Sequence, residues 1–165
     1  MNLIVCVDKF WGIGKNNCLL FHLPEDLKYF KEKTLGKTVV MGGNTLLSLP
    51  GSKPLPNRKN IVLSDAFTRD DCECYSDLDT LKNRLKELPG EDLFIIGGAM
   101  FYKTMLPFCE TAYITKVDAD GEADCFFDNL DHMGNWKQIS VSDEVISNGK
   151  SIRYTVYKNL AIKNL

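Results

Sequence analysis

Histidine is nearly absent from this chain: His22 and His132 are the only two in 165 residues. No C-x-x-C pair accompanies them, although six cysteines are present (Cys6, Cys18, Cys72, Cys74, Cys109 and Cys125). A zinc site wants tighter ligand spacing than these residues offer, so no metal centre is expected. Long hydrophobic runs are missing as well. The N-terminal run, Leu3 to Val7, is far too short for a signal-peptide core or a membrane span. The cysteines are therefore read as reduced, mostly buried residues of a cytoplasmic protein. Nor is there a surplus of one charge: the net charge is −2, which argues against a nucleic-acid or membrane surface and leaves any anionic ligand to local groups. The glycine-rich stretches miss the standard nucleotide motifs. Gly12-Ile13-Gly14-Lys15 is not a Walker A loop, and neither Gly42-Gly43 nor Gly97-Gly98 opens G-x-G-x-x-G. Repeats, low-complexity tracts and evident linkers are also lacking, so residues 1–165 read as one domain with a single core.

What is present is an alternation of short apolar runs with helical segments. Leu3–Val7, Thr38–Met41, Asn60–Leu63, Leu93–Ile96 and Ala112–Val117 read as strands. Between them, helices are predicted from Pro24 to about Leu35, near Thr45–Leu49, from Asp77 to Leu88 and from about Ala99 to Met105. Residues from Lys9 to Leu23 read as a loop. Such alternation describes an α/β fold whose mostly parallel sheet is buried on both faces. Trp136–Ser142 and Ser151–Tyr157 flank Asn148-Gly149, a hairpin turn signal, so the sheet is expected to end in antiparallel strands.

The stretch Leu23-Pro24-Glu25-Asp26-Leu27-Lys28-Tyr29-Phe30 carries the most chemistry. Pro24 suits a first helical position, and Glu25 and Asp26 follow where the helix dipole favours negative charge. At about 100° per residue, Asp26, Leu27, Phe30 and Thr34 share roughly one quadrant of the helix. An acid among Leu and Phe is either a first-turn charge or a desolvated carboxylate with a function. Ligands of open α/β sheets bind beyond the carboxyl ends of the strands, and several strands here end in Gly42-Gly43, Ser64 or Gly97-Gly98. Glycine pairs at strand ends are either plain turns or a pyrophosphate cradle. His22 reads as a loop or packing residue, and Cys72 and Cys74 as structure. Arg58 follows the stiff turn Pro54-Leu55-Pro56-Asn57, which can aim a guanidinium at a carboxylate.

Taken in order, these segments resemble dihydrofolate reductase from Leu3 to about Phe127. The pieces are Gly12-Ile13-Gly14, Phe21-His22-Leu23-Pro24-Glu25-Asp26, Val40-Met41-Gly42, Asn44-Thr45, Pro54-Leu55-Pro56-x-Arg58-x-Asn60, Ile96-Gly97-Gly98-Ala99, Tyr102 and Asp118-Ala119. The resemblance implies a sheet of about eight strands with about four flanking helices. It also implies reduction of 7,8-dihydrofolate to tetrahydrofolate by NADPH, feeding one-carbon metabolism. Asp26 becomes the single ionisable group in the pterin pocket, with Thr115 bridging to it. Ile4, Val5, Leu27, Phe30, Lys31, Leu49 and Ile96 are implied to contact substrate, and Arg58 to hold the glutamate-tail carboxylate. The implied cofactor residues are Cys6, Ile13, Gly14, Leu19, Gly42, Gly43, Asn44, Thr45, Leu63, Ser64, Asp65, Ile96, Gly97, Gly98, Ala99, Met100, Phe101, Tyr102 and Asp124. Residues Lys9 to Leu23 become a lid over the nicotinamide that Asp124 helps to order, and Gly97-Gly98 the family's cis glycine pair. The protein is expected to act as a monomer on small molecules.

The chain also departs from the family pattern. Leu20-Phe21 replaces the usual Pro-Trp and removes an indole donor. Gly43 stands where an arginine usually faces the adenosine phosphate, Asp65 where serine is common, Tyr75 where a lysine occurs and Met100 where some members carry arginine. Arg69 and Lys103 are candidate substitutes for the missing cations. Two other readings remain: a related pterin or pyrimidine reductase, and a non-catalytic nucleotide-binding protein on the same fold. Asp26, Arg58, Thr115 and Gly97-Gly98 together argue against both.

Overall fold

The computed structural model describes residues 1–165. In chain order its strands and helices are β1 (Asn2–Val7), β2 (Gly12–Gly14), α1 (Pro24–Thr34), β3 (Thr38–Gly42), α2 (Gly43–Ser48), β4 (Lys59–Leu63) and β5 (Glu73–Tyr75). They continue with α3 (Leu78–Lys86), β6 (Leu93–Gly97), α4 (Ala99–Met105), β7 (Thr111–Val117), β8 (Cys125–Phe126), β9 (Trp136–Val141), β10 (Val145–Ser147) and β11 (Lys150–Asn159).

The main sheet runs β10-β11-β7-β1-β6-β3-β4-β5. From β7 to β5 the pairings are parallel, and β11 runs antiparallel to β7. Short runs of Val, Ile and Leu form these strands because they are covered on both faces and need no polar alternation. Along β1, Leu3, Val5 and Val7 enter the larger core, with Leu81 and Leu85 of α3 and Phe101 and Met105 of α4. Ile4 points the other way, into a cluster with Leu46 of α2 and Phe30 of α1. This period of two sorts the strand residues between the helix-covered faces.

Two sequence expectations need correction. Asn148-Gly149 turns between β10 and β11, not between β9 and β11. β9 and β10 instead take successive lengths of the outer edge of β11, with a register shift at Val156/Tyr157. Residues Lys9 to Leu23 are also not wholly irregular, since β2 lies within them and pairs with β8 as a separate ribbon. Neither strand is visible in the sequence, because two or three residues have no periodicity to read. No helix is long and apolar enough to cross a membrane.

Candidate functional site

α1 begins after Leu23, which is buried against Val117 and Ile152. The N–H of Glu25 donates to Ser147 Oγ (3.2 Å), Tyr154 O–H donates to the Glu25 carbonyl (3.1 Å), and the Tyr29 and Tyr154 rings stack at 4.1 Å. The first turn of α1 is thereby seated on β10 and β11, and Asp26 is held over the sheet. Thr115 Oγ1 of β7 donates to Asp26 Oδ1 at 2.6 Å. Thr115 is itself buried and lies in register with Cys6 of β1. Burial raises the Asp26 carboxyl above the ordinary carboxylate range, and hydrogen bonds from Thr115 and Cys6 oppose that rise. Burial, then the neighbouring Asp26 charge, push the Cys6 thiol well above its ordinary value.

Ile4, Phe30, Leu49 and Ile96 belong to one apolar cluster around Phe94. Leu27 and Lys31 are exposed on α1. Val5 is different: its side chain lies in the larger core on the opposite face of the sheet from Ile4, so only its backbone can reach a ligand on the Asp26 side. At the other end of α1, Arg58 Nη1 donates to Thr34 Oγ1 (3.1 Å) and Arg58 Nε to the Pro56 carbonyl (3.0 Å). Burial lowers the Arg58 pKa, and only neutral acceptors hold its guanidinium. Asn60 braces the turn before it, accepting from Leu55 N and donating to the Leu55 and Arg58 carbonyls. Asp26 and Thr34 are separated by about 12 Å along the helix axis. An elongated ligand with hydrogen-bonding groups at one end and a carboxylate at the other matches this spacing.

The glycine pairs sit on neighbouring strand ends. The Gly97–Gly98 peptide is cis, and a Cβ at Gly97 would stand 3.0 Å from Thr45 Oγ1. A Cβ at Gly42 would lie 3.8 Å from Gly98 N. Bare backbone therefore lines this end of the sheet, as close approach of a pyrophosphate requires. Gly43 is equally confined, with Ser64 Oγ 2.9 Å and Phe67 Cε1 3.1 Å from the place of its missing Cβ. Ser64, Phe67 and the Gly43 backbone occupy the position where the resemblance leads one to look for an arginine. Arg69 is no substitute: Asp71 grips its Nε (2.9 Å) and Nη2 (2.6 Å), and Nη1 donates to the Ser52 carbonyl. Lys103, Asn44, Asp65 and Met100 are exposed, and Leu63 packs at the margin of the larger core. Phe101 and Tyr102 are buried in that core, with Tyr102 O–H donating to the Ile4 carbonyl at 2.7 Å. Ala99 is half-buried at the start of α4.

The lid candidates meet a second loop. Asp124 Oδ2 accepts from Asn16 N (2.9 Å), and Asp124 N donates to the Gly14 carbonyl (2.9 Å). Ile13 packs on the core edge, while Leu19 is 74% exposed. Asp8, which belongs to no motif in the sequence, is 3% exposed. Its Oδ1 accepts from Phe10 N (2.9 Å) and Gly12 N (2.8 Å), and its Oδ2 from Gly121 N (2.9 Å). This buried charge ties the root of one loop to the other. The only local signal was an acid closing a buried strand just before a glycine-bearing loop.

Comparisons with known proteins point to one family. The family model described as dihydrofolate reductase matches residues 1–159. The chain is 39% identical over 141 residues to the dihydrofolate reductase of Bacillus subtilis, covering 85% of this chain and 82% of that protein. It is 37% identical over 147 residues to that of Neisseria gonorrhoeae, covering 87% and 86%. Among solved structures, dihydrofolate reductase from Enterococcus faecalis, complexed with NADP(H) and RAB-propyl, aligns with a TM-score of 0.82 at 29% identity, covering 96% of this chain and 95% of that one.

The Asp8 contacts generate a first prediction. In Asp8→Asn the carbonyl oxygen still serves Phe10 and Gly12, but an amide N–H₂ faces the Gly121 N–H. Losing that tie should cost the loop pair about 1–3 kcal/mol of local stability. Amide hydrogen exchange followed by mass spectrometry should quicken at residues 9–14 and 119–124 and stay unchanged in β1, β6 and β7. With the family model matching residues 1–159 and relatives matched over more than four-fifths of their length, this chain belongs to the dihydrofolate reductase family.

Proposed function

We propose that this chain reduces 7,8-dihydrofolate to tetrahydrofolate with NADPH in the cleft along α1, with Asp26 as its one ionisable catalytic group. The observation that carries the reading is the pair of ends of that helix: a desolvated Asp26 bonded to Thr115, and Arg58 held only by neutral acceptors. NADPH supplies the hydride that C6 of the pterin receives. Asp26 accepts hydrogen bonds from the pterin N3 and 2-amino group, and its charge favours protonation at N5. Thr115 keeps the carboxylate in place. Ile4, Leu27, Phe30, Leu49 and Ile96 exclude water around the ring, and the Lys31 and Val5 backbones border it. Arg58 forks onto the tail carboxylate. On the cofactor side, Gly42, Gly97 and Gly98 give the pyrophosphate access to backbone. Thr45, Asn44 and Ser64 supply polar groups, and Cys6, Ile13, Gly14 and Leu19 border the nicotinamide. The protein works mainly by positioning two rings face to face.

Residues 1–165 act as one domain, as a cytoplasmic monomer without a nucleic-acid partner. Loss of the near-ultraviolet absorbance of NADPH on mixing with dihydrofolate, and not with a pyrimidine substrate, tests the reading directly.

Asp26→Asn keeps the shape and removes the charge. Turnover at neutral pH should fall by about two or more orders of magnitude and recover partly as pH falls and solution supplies protonated substrate. Stability should move the other way. The folded Asp26 pKa is raised, so its stabilising contribution is complete below the unfolded value of about 3.9 and lost as pH rises through the folded value. The variant should therefore melt above wild type at pH 7, by roughly 2–4 °C per kcal/mol relieved. The difference should vanish in acid, which paired thermal melts will check.

Arg58→Lys should weaken dihydrofolate binding by about 1.5–3 kcal/mol and leave a tail-less pterin almost unaffected, because an ammonium cannot reproduce a fork. Equal losses for both ligands would assign Arg58 a structural role. Cofactor choice should be blunted as well. Ser64 and Phe67 occupy the space beside Gly43, and Asp71 engages Arg69. Each absent charge-assisted bond to the 2′-phosphate removes roughly tenfold or more of the NADPH preference. NADPH should still win in kcat/KM over NADH, by less than about a hundredfold.

A further inference from the structure

The reading above makes no use of two cysteines at the edge of the sheet. Asp71 and Cys72 form a bend just before β5, and that bend turns Cys72 toward Cys74, with Sγ to Sγ at 3.7 Å. Cys74 S–H donates weakly to the Cys72 carbonyl at 3.9 Å. Both are half-buried and free, at the margin of the cluster that holds Phe67 and Leu55. Cys72 also lines a surface cavity of 690 Å³, together with Arg69, Asp71, Glu73, Lys53 and Asn60. The pair is thus approachable from solvent and backed by an apolar wall.

Two sulfurs bound to one centre at about 2.3 Å each lie roughly 3.3–3.8 Å apart for bond angles of about 90–110°. The observed spacing falls in that range and is far from the about 2.05 Å of a disulfide. No third His, Cys, Asp or Glu joins the pair as a ligand set, and structural zinc wants four. What suits two thiols alone is a thiophilic centre of low coordination number. We propose that Cys72 and Cys74 form a two-thiol capture site for monosubstituted trivalent arsenicals, whose third position is already filled by carbon.

The step balances without an oxidant. An organoarsenic(III) dihydroxide exchanges its two As–O bonds for two As–S bonds, and the thiol protons leave with the oxygens as two waters. Arsenic stays trivalent and both sulfurs stay at the thiol level. Burial, and then the neighbouring Cys74, push the Cys72 thiol up to about 12. Cys72 therefore resists thiolate-driven oxidation, whereas the exchange carries its own protons away.

The test uses the whole protein, phenylarsine oxide and intact-mass measurement in excess 2-mercaptoethanol. One equivalent should be retained, and 2,3-dimercaptopropanol should release it. Cys72→Ser and Cys74→Ser should each weaken retention by about a hundredfold or more, because the second bond forms intramolecularly. Cys18→Ser and Cys125→Ser should retain it fully. Cys72→Ala and Cys74→Ala repeat the comparison should either serine variant melt early. Retention that survives loss of Cys72 or Cys74, that disappears with Cys18 or Cys125, or that a monothiol abolishes in wild type would overturn the assignment. So would stoichiometric retention of Zn(II) by the pair.

Discussion

The candidate site is organised around one part-buried hydrogen bond, from Thr115 to Asp26 at 2.6 Å. A carboxylate at this depth loses hydration that a hydroxyl and a thiol only partly replace, so burial outweighs both in setting its pKa. The arrangement persists because the rest of the chain forces it. Leu23 is anchored beside Val117 and Ile152, and Ser147 and Tyr154 take up backbone groups of Glu25. Strands more than a hundred residues downstream thus set the position of an acid near the N-terminus. The cost in stability is the counterpart of having an ionisable group poised among apolar neighbours.

The strand ends that carry the glycine pairs follow a different logic, since backbone replaces side chains. At Gly97 a Cβ would crowd Thr45 Oγ1 at 3.0 Å, whereas at Gly42 and Gly98 it would meet only ordinary contacts and cover backbone that is now bare. The loop after β1 is joined to residues 121–124 by backbone N–H groups, with Asp8 and Asp124 as carboxylate acceptors. Asp8 can remain buried because three N–H donors converge on it. Where relatives are expected to use a cation, this chain packs Ser64 and Phe67 against Gly43 and pairs Arg69 with Asp71.

Much of this was legible locally. Long, strongly patterned segments were read closely: α4 was expected at Ala99–Met105 and lies there, while α1, α3 and the parallel strands differ from expectation by a few residues at their ends. β2, β8 and β10 escaped because two or three residues cannot display a period. The Asn148-Gly149 turn was recognised, but its upstream partner strand was not, since a turn motif says where the chain reverses and not which segment pairs. Val5 shows the limit for site residues: an apolar residue in a strand beside the site can face either side of the sheet, and Val5 faces away.

Local patterns in the chain suffice for the α/β class, the strands that end in glycine, the amphipathic helix carrying Asp26 and the stiff turn before Arg58. These are local consequences of periodicity, dihedral preference and residue chemistry. Tertiary structure alone decided that Thr115 reaches Asp26, that Asp8 joins two loops, that Arg69 is already paired and that two thiols meet at the sheet edge. Each of these joins groups through the packing of separate elements or the shape of a bend. The Thr115 and Asp8 contacts depend on the register and docking of distant segments, which no local pattern encodes. The Arg69 and cysteine contacts, each between residues two apart, depend on the shape of the bend before β5.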